Sequence, residues 1–251
     1  MAVYDKFAQE YSSCMGERGD EAHQNQIDPY IYKIIGDLKE KTVCDLGCGN
    51  GYMARFFAKN NAHVYASDIS KELIKIAKKK SKDLNIKYSV HSADDLSIYQ
   101  DNFFDIVVMN MSIHYIRDLR KLFSEVSRTL KDGGVYTFST NHFFRPNTYS
   151  QWELGKTGND ERLFIKVTNY LGNKGVKVLS GWDKKTKMMI YNHTLNSLVN
   201  EMSDNKLLTF KIYEPEPVNS GQAFSKKLQQ THRILTFIII GAIKQKDIKL
   251  P

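Results

Sequence analysis

Val43-Cys44-Asp45-Leu46-Gly47-Cys48-Gly49-Asn50-Gly51 runs from an apolar strand through an acid into a Gly-x-Gly-x-Gly loop. A helical pattern follows at once, with Met53, Phe56 and Phe57 turned inward over Tyr52 to Lys59. Glycines let the backbone turn sharply and approach a ligand, and the next helix offers free N–H groups at its start. Several nucleotide-binding folds share such loops, so the flanking residues decide the ligand. The dinucleotide fingerprint wants a glycine where Tyr52 stands. Asp45 would repel a pyrophosphate, whereas a carboxylate there suits a ligand carrying ammonium and sulfonium charges. Asp68 ends the following strand, where an acid can accept hydrogen bonds from both ribose hydroxyls.

Outward from the loop, the chain repeats a grammar of short apolar run, turn and helix. Strands are expected at Thr42 to Leu46, His63 to Ser67, Ile86 to His91, Phe104 to Asn110 and Val135 to Thr140. Ser70 and Asp118 are placed to cap helices, and Lys131-Asp132-Gly133-Gly134 to stop one. Upstream, Ile27, Ile31, Ile34, Ile35 and Leu38 have the spacing of an amphipathic helix. Strands alternating with helices imply a largely parallel sheet covered on both faces. The alternation breaks from Asn141 to Ile190, a stretch that holds Trp152 and Trp182 and has no clear period. It resumes with Thr194 as a helix cap, then strands at Leu207 to Tyr213 and Ile234 to Ile243 around Pro215, Pro217 and Gly221. Two strands joined without a crossover helix suggest an antiparallel pair closing the sheet.

Five segments in register carry a family resemblance. The loop from Val43 to Gly51 resembles the first motif of class I, S-adenosylmethionine (SAM)-dependent methyltransferases. Ser67-Asp68-Ile69-Ser70 looks like their second-strand motif, and Ser92-Ala93-Asp94-Asp95-Leu96 like their adenine motif. Phe104-Asp105-Ile106-Val107-Val108-Met109-Asn110 is similar to the fourth-strand motif, and Leu130-Lys131-Asp132-Gly133-Gly134 to the turn into strand five. The resemblance implies a Rossmann-like α/β fold: a seven-stranded, mostly parallel sheet with an antiparallel last strand, helices on both faces and a lid insertion after strand 5. It implies one domain over 1–251, with 1–26 as an N-terminal lid segment and 141–190 as a substrate-cap insertion.

For the cofactor SAM, the resemblance implies that Gly47, Cys48 and Gly49 shape the loop around the methionine part, with Asp45 ordering it or touching the ligand. Asp68 takes the ribose, Ile69 packs on adenine, and Ala93 and Asp94 read its amino group. Asn110 and Met111 supply backbone at the sulfonium end. Tyr4-Asp5-Lys6-Phe7-Ala8-Gln9-Glu10-Tyr11 looks like the opening of small-molecule methyltransferases, in which a tyrosine, here Tyr11, can reach the cofactor carboxylate. The fourth strand ends without the Asn/Asp-Pro-Pro-aromatic tetrapeptide used on planar nitrogens, which counts against DNA adenine and protein glutamine. Candidate bases are His114 and His142, with His193 behind them, and Phe143, Phe144, Trp152 and Trp182 are candidate pocket aromatics.

The expected reaction is methylation of an O, N or C atom of a small-molecule acceptor; tRNA modification or a non-catalytic binding subunit are the alternatives. The net charge of +8 raises nucleic acid as a partner, but the lysines from Lys71 to Lys82 interleave with an apolar stripe and no aromatic, as on a solvated helix face. Three cysteines, Cys14, Cys44 and Cys48, match neither a disulfide framework nor a zinc site, so no metal is expected and Cys48 reads as a packed loop residue. The start lacks a signal-peptide core and Ile234 to Ile243 is too short to span a bilayer, so a cytoplasmic location without membrane contact is expected. The sequence leaves the oligomeric state open.

Overall fold

In the computed structural model, residues 2–143, 150–154, 162–167, 175–179, 185–216 and 236–246 are described. The alternating pattern builds β1 (Thr42–Leu46), β2 (His63–Asp68), β3 (Ile86–Val90), β4 (Phe104–Met109) and β5 (Leu130–Asn141) as one parallel set. β10 (Leu207–Tyr213) and β11 (Phe237–Lys244) complete a sheet of order β10-β11-β5-β4-β1-β2-β3. β11 lies antiparallel to both β5 and β10, so the expected antiparallel closure is present. The order reverses between β1 and β4, and open α/β sheets bind ligands at that point, beyond the carboxyl ends of the strands.

Each strand feeds two cores because its side chains alternate across the sheet. Cys44, Val107, Met109, Tyr136 and Phe138 pack with α5 (Leu119–Thr129) and α6 (Leu195–Asp204) on one face. Val43, Val64, Ile106, Val108 and Ile239 pack on the other with α2 (Asp28–Ile35) and α3 (Tyr52–Lys59), and with Ile74 of α4 (Lys71–Lys80). Ser70, Asp118 and Thr194 cap α4, α5 and α6 through Leu73, Lys121 and Ser197 amides, as their positions predict. In α4, Leu73, Ile74 and Ala77 are buried while Lys71, Lys75, Lys78 and Lys79 stay exposed, which is the solvated face expected of that run.

Some boundaries differ from expectation. α2 stops at Ile35 because Gly36 turns left-handed, so Leu38 is buried from the loop beyond. The Lys131–Gly134 segment does not separate helix from strand. It belongs to β5 as an irregularity that shifts the register against β4 between Phe104 and Ile106. β11 begins at Phe237, and Ile234, Pro217 and Gly221 lie outside the described residues. Within 141–190 two hairpins appear: β6 (Ser150–Leu154) with β7 (Arg162–Val167), and β8 (Gly175–Leu179) with β9 (Lys187–Tyr191).

The loop after β3 is held from below by one arginine. Arg128 donates to the Leu96 and Tyr99 carbonyls, each at 2.9 Å, and to Asp101 and Glu125 at 2.8 Å. Glu125 also accepts the Leu96 amide at 2.9 Å. Charge-assisted bonds of this kind are the stronger ones. Replacing Arg128 with alanine is expected to cost about 2–3 kcal/mol in urea unfolding, since it strips several partners at once. A loss under ~0.5 kcal/mol would make this a surface pair of no consequence.

Candidate functional site

The glycine loop connects β1 to α3 at the reversal point. Gly47, Gly49 and Gly51 all have positive φ, at 68°, 56° and 76°. Space is as restrictive as the dihedral. A Cβ on Gly47 would stand 2.6 Å from Ser112 Oγ, and one on Gly49 would stand 2.7 Å from the Tyr11 hydroxyl. The loop is therefore wedged between the segment after β4 and the N-terminal helix α1 (Ala8–Met15). Asn50, fully buried, donates to the Gly16 carbonyl at 2.9 Å and so ties the loop to the end of α1. Arg55 reaches back to the Asn50 carbonyl at 2.8 Å.

Asp68 grips the loop from β2. One carboxylate oxygen accepts the Gly49 amide at 3.0 Å and the other the Ser70 amide at 2.8 Å. Burial raises its pKa above the ordinary carboxylate value, against the pull of these amides. Asp45 is 2% exposed, and its Oδ2 has no hydrogen-bond partner. Burial, with the charges of Asp68 and Asp28 added, pushes the Asp45 carboxyl up to about 7. No lysine or arginine pairs with Asp28, Asp45 or Asp68 among the described residues. Buried Asp28 and Asp45 and half-buried Asp68, with no lysine or arginine beside them, form a field that a cationic ligand would relieve.

Tyr11 is half-buried beside the loop, its ring edge-on to Tyr4 at 5.4 Å, and desolvation raises its phenol well above the usual range. Tyr4 in turn bonds the Tyr115 hydroxyl at 2.8 Å, and Asp5 accepts the Ser70 hydroxyl at 2.6 Å. Residues from both ends of the site thus fasten the N-terminal segment across it. Ile69 is 59% exposed at the end of β2, an apolar surface left open to a planar ring. Ala93 is buried. Asp94 accepts the Ser92 hydroxyl and lies 3.7 Å from Lys121 Nζ. Cys48 is buried, which drives its thiol well above the normal pKa and fits a packed loop residue.

β4 ends at a tight turn. Met111 takes a left-handed φ of 50°, and its amide donates to Ser139 Oγ at 2.9 Å. The Asn110 side chain is engaged from below, by Asp28 and Tyr52, rather than turned outward. Asp28 has no place among the residues expected from the sequence, and Tyr52 stands there only as the residue in place of the dinucleotide glycine. The signal available was a lone acid opening an apolar helix and a tyrosine in the glycine's place.

The candidate bases stand near the end of β5. His114 Nδ1 lies 3.4 Å from Thr140 Oγ1, with its ring 4.3 Å from that of Tyr115. His142 is 2% exposed and bonds Glu214 at 2.9 Å. His193 bonds the Ile116 carbonyl at 2.8 Å, and burial lowers its pKa. Phe143 is buried in the core, packed with the α5 and α6 side chains. Trp152 lies in β6, while Phe144 and Trp182 lie outside the described residues.

Residues 44–138, which include the glycine loop, Asp68 and the turn after β4, match the methyltransferase domain family. The chain is 34% identical over 117 residues to a malonyl-[acyl-carrier protein] O-methyltransferase of Hamiltonella defensa, covering 47% of this chain and 44% of that one. It is 30% identical over 122 residues to a ubiquinone biosynthesis O-methyltransferase of Nitrosomonas europaea, covering 46% and 52%. The chain thus spans about half the length of these relatives. The crystal structure of an S-adenosylmethionine-dependent methyltransferase from Mesorhizobium loti superposes with a TM-score of 0.73 at 22% identity, over 86% of this chain and 96% of that one. Residues 44–138 thus carry a methyltransferase domain, in a fold shared with that SAM-dependent methyltransferase structure.

Proposed function

We propose that the chain transfers a methyl group from SAM to an O, N or C atom of a small-molecule acceptor. The observation that carries this reading is the buried Asp45 carboxylate, whose Oδ2 has no hydrogen-bond partner, behind a glycine loop that admits no side chain. When bound, SAM supplies a methyl group on a cationic sulfur, ready for in-line displacement. Asp45, Gly47, Cys48, Gly49 and Tyr11 would hold its amino-acid end. Asp68 would hold the ribose, and Ile69, Ala93 and Asp94 the adenine. Asn110 and Met111 would border the reacting end with fixed backbone.

The protein's own contribution is alignment and the exclusion of water. The Tyr4–Tyr115 and Asp5–Ser70 contacts close the N-terminal segment over the loop, and residues 1–26 act as a lid. A base is needed only where the acceptor loses a proton. His142 is buried and held by Glu214, so the half-buried His114 is the better placed to take that proton. The likeness to two O-methyltransferases, one of them of ubiquinone biosynthesis, supports a small-molecule acceptor. The exposed lysine face of α4, without aromatic platforms, supports the same reading over a nucleic-acid groove.

Calorimetry with SAM tests the donor site. Wild type is expected to bind, and Asp68→Ala to bind at least about 10-fold more weakly, having lost an acceptor and its brace on Gly49. Equal affinities would remove Asp68 from the site. Labelled SAM offered with separate small-molecule, tRNA and protein fractions should place the label in the first. Label in tRNA, with a steep salt dependence, would overturn the acceptor class.

A further inference from the structure

The donor site rests on a polar cluster in which two members, Asp28 and Tyr52, have no part in the chemistry above. Asp28 opens α2 and is 3% exposed. Its Oδ1 accepts the Tyr52 hydroxyl at 3.1 Å and Asn110 Nδ2 at 3.0 Å. The same Asn110 nitrogen reaches the Tyr52 oxygen at 2.8 Å, closing a triangle. On its other side Asn110 Oδ1 accepts the Ser139 hydroxyl, and Ser139 Oγ accepts the Met111 amide. An unbroken chain of hydrogen bonds therefore runs from α2 to the left-handed turn after β4.

Tyr52 is the first residue after the glycine loop, and Asn110–Met111 is the turn facing it across the reversal point. Asp28 is the group common to both. A buried acid without a lysine or arginine partner costs stability, and an apolar residue would avoid that cost in a helix already rich in isoleucine. Such groups persist where geometry depends on them. We propose that Asp28 is a positioning residue of the donor site, locking the exit of the glycine loop to the Asn110–Met111 turn so that both walls keep one geometry. This rests on the SAM reading above.

Asp28 is faced by His23 and Asp20 from the turn before α2, by Tyr32 of its own helix, by Asp45 of β1, by Tyr52 of α3 and by Asn110 after β4. Burial outweighs the lowering effects of His23, Tyr52 and Asn110, and its carboxyl titrates near 7. The ionised form is the stronger acceptor for both donors, so the lock tightens as pH rises through that range.

The test is calorimetry of SAM with wild type, Asp28→Asn, Asp28→Ala and Tyr52→Phe at pH 6 and pH 8. Asp28→Ala is expected to weaken binding about 10-fold or more at both, since two donors lose their acceptor. Asp28→Asn keeps an acceptor oxygen in place. It should recover most of that loss at pH 6 and fall behind wild type at pH 8. Tyr52→Phe, which keeps the ring, should weaken binding roughly threefold and carries the test even if the alanine variant does not fold. Variants that all bind within twofold of wild type overturn the proposal, as does an asparagine variant that recovers nothing. Wild type that does not bind SAM at all would instead overturn the donor reading, and this inference with it.

Discussion

Gly49→Val should abolish SAM binding in calorimetry, a loss of more than about 100-fold, while leaving a folded protein by circular dichroism. The argument has three independent parts. At φ 56° a β-branched residue meets its own carbonyl, and the left-handed region costs it about 1–2 kcal/mol or more. Its Cβ would also stand 2.7 Å from the Tyr11 hydroxyl and 3.0 Å from Tyr11 Cε1, so the N-terminal segment must lift from the loop. Finally, any tilt of this peptide pulls the Gly49 amide from Asp68, the bond that ties the loop to the proposed ribose site. Gly36→Ala is the matched control. It has φ 64° and ψ −139° but nothing within 4 Å of its Cβ, so it should lose about 1–3 kcal/mol of stability and no affinity. A second variant separates clash from strain. Adding Tyr11→Ala to Gly49→Ala should restore part of the stability, because the clashing ring is gone. Undiminished binding by Gly49→Val would mean the ligand does not approach this loop.

The parallel part of the sheet was legible in the sequence because strands such as β1 and β4 are short, largely apolar runs bounded by polar turns. β1 and α3 begin and end where the pattern puts them. β5 was misjudged at its start because glycines after a helix ordinarily mark a turn. Here Gly133, with φ 76°, lets the strand carry an irregularity that no period reveals. The hairpins between Asn141 and Ile190 escaped for a related reason. They pair only with themselves, so neither is patterned by the main sheet.

In the candidate site, acids adjacent to a motif are legible in the sequence and the acid far from one is not. Asp45 and Asp68 flank the loop in sequence. Asp28 meets Tyr52 and Asn110 from 24 and 82 residues away, a juxtaposition made by the packing of α2 on α3 and β4. The Asn110 side chain also turns toward that cluster, a direction that sequence spacing does not encode.

Asp45→Asn should change stability and binding in opposite directions. The folded carboxyl titrates near 7, above the ordinary value of 3.8, because burial and the neighbouring Asp68 and Asp28 disfavour its charge. A raised carboxyl pKa means the folded state binds the proton more tightly than the unfolded chain. Its contribution is therefore fully present below about pH 4 and is lost as pH rises toward 7, and above that the ionised acid opposes folding by on the order of 4 kcal/mol. Asparagine removes the charge, so the ligand-free variant should melt several degrees higher than wild type at pH 8 and show a much smaller gain at pH 5. Binding should run the other way. A ligand that brings cationic groups to this carboxylate favours its ionised form, so wild-type affinity should climb between pH 6 and pH 8 with proton release, measurable in buffers of different ionisation enthalpy. The asparagine variant should bind about 10- to 100-fold more weakly at pH 8, as when one partner of a buried charge interaction is removed. A protein built for stability alone would not keep Asp45 unpaired. An asparagine variant that is both less stable at pH 8 and equally tight for SAM would show that the acid serves the fold and not the ligand.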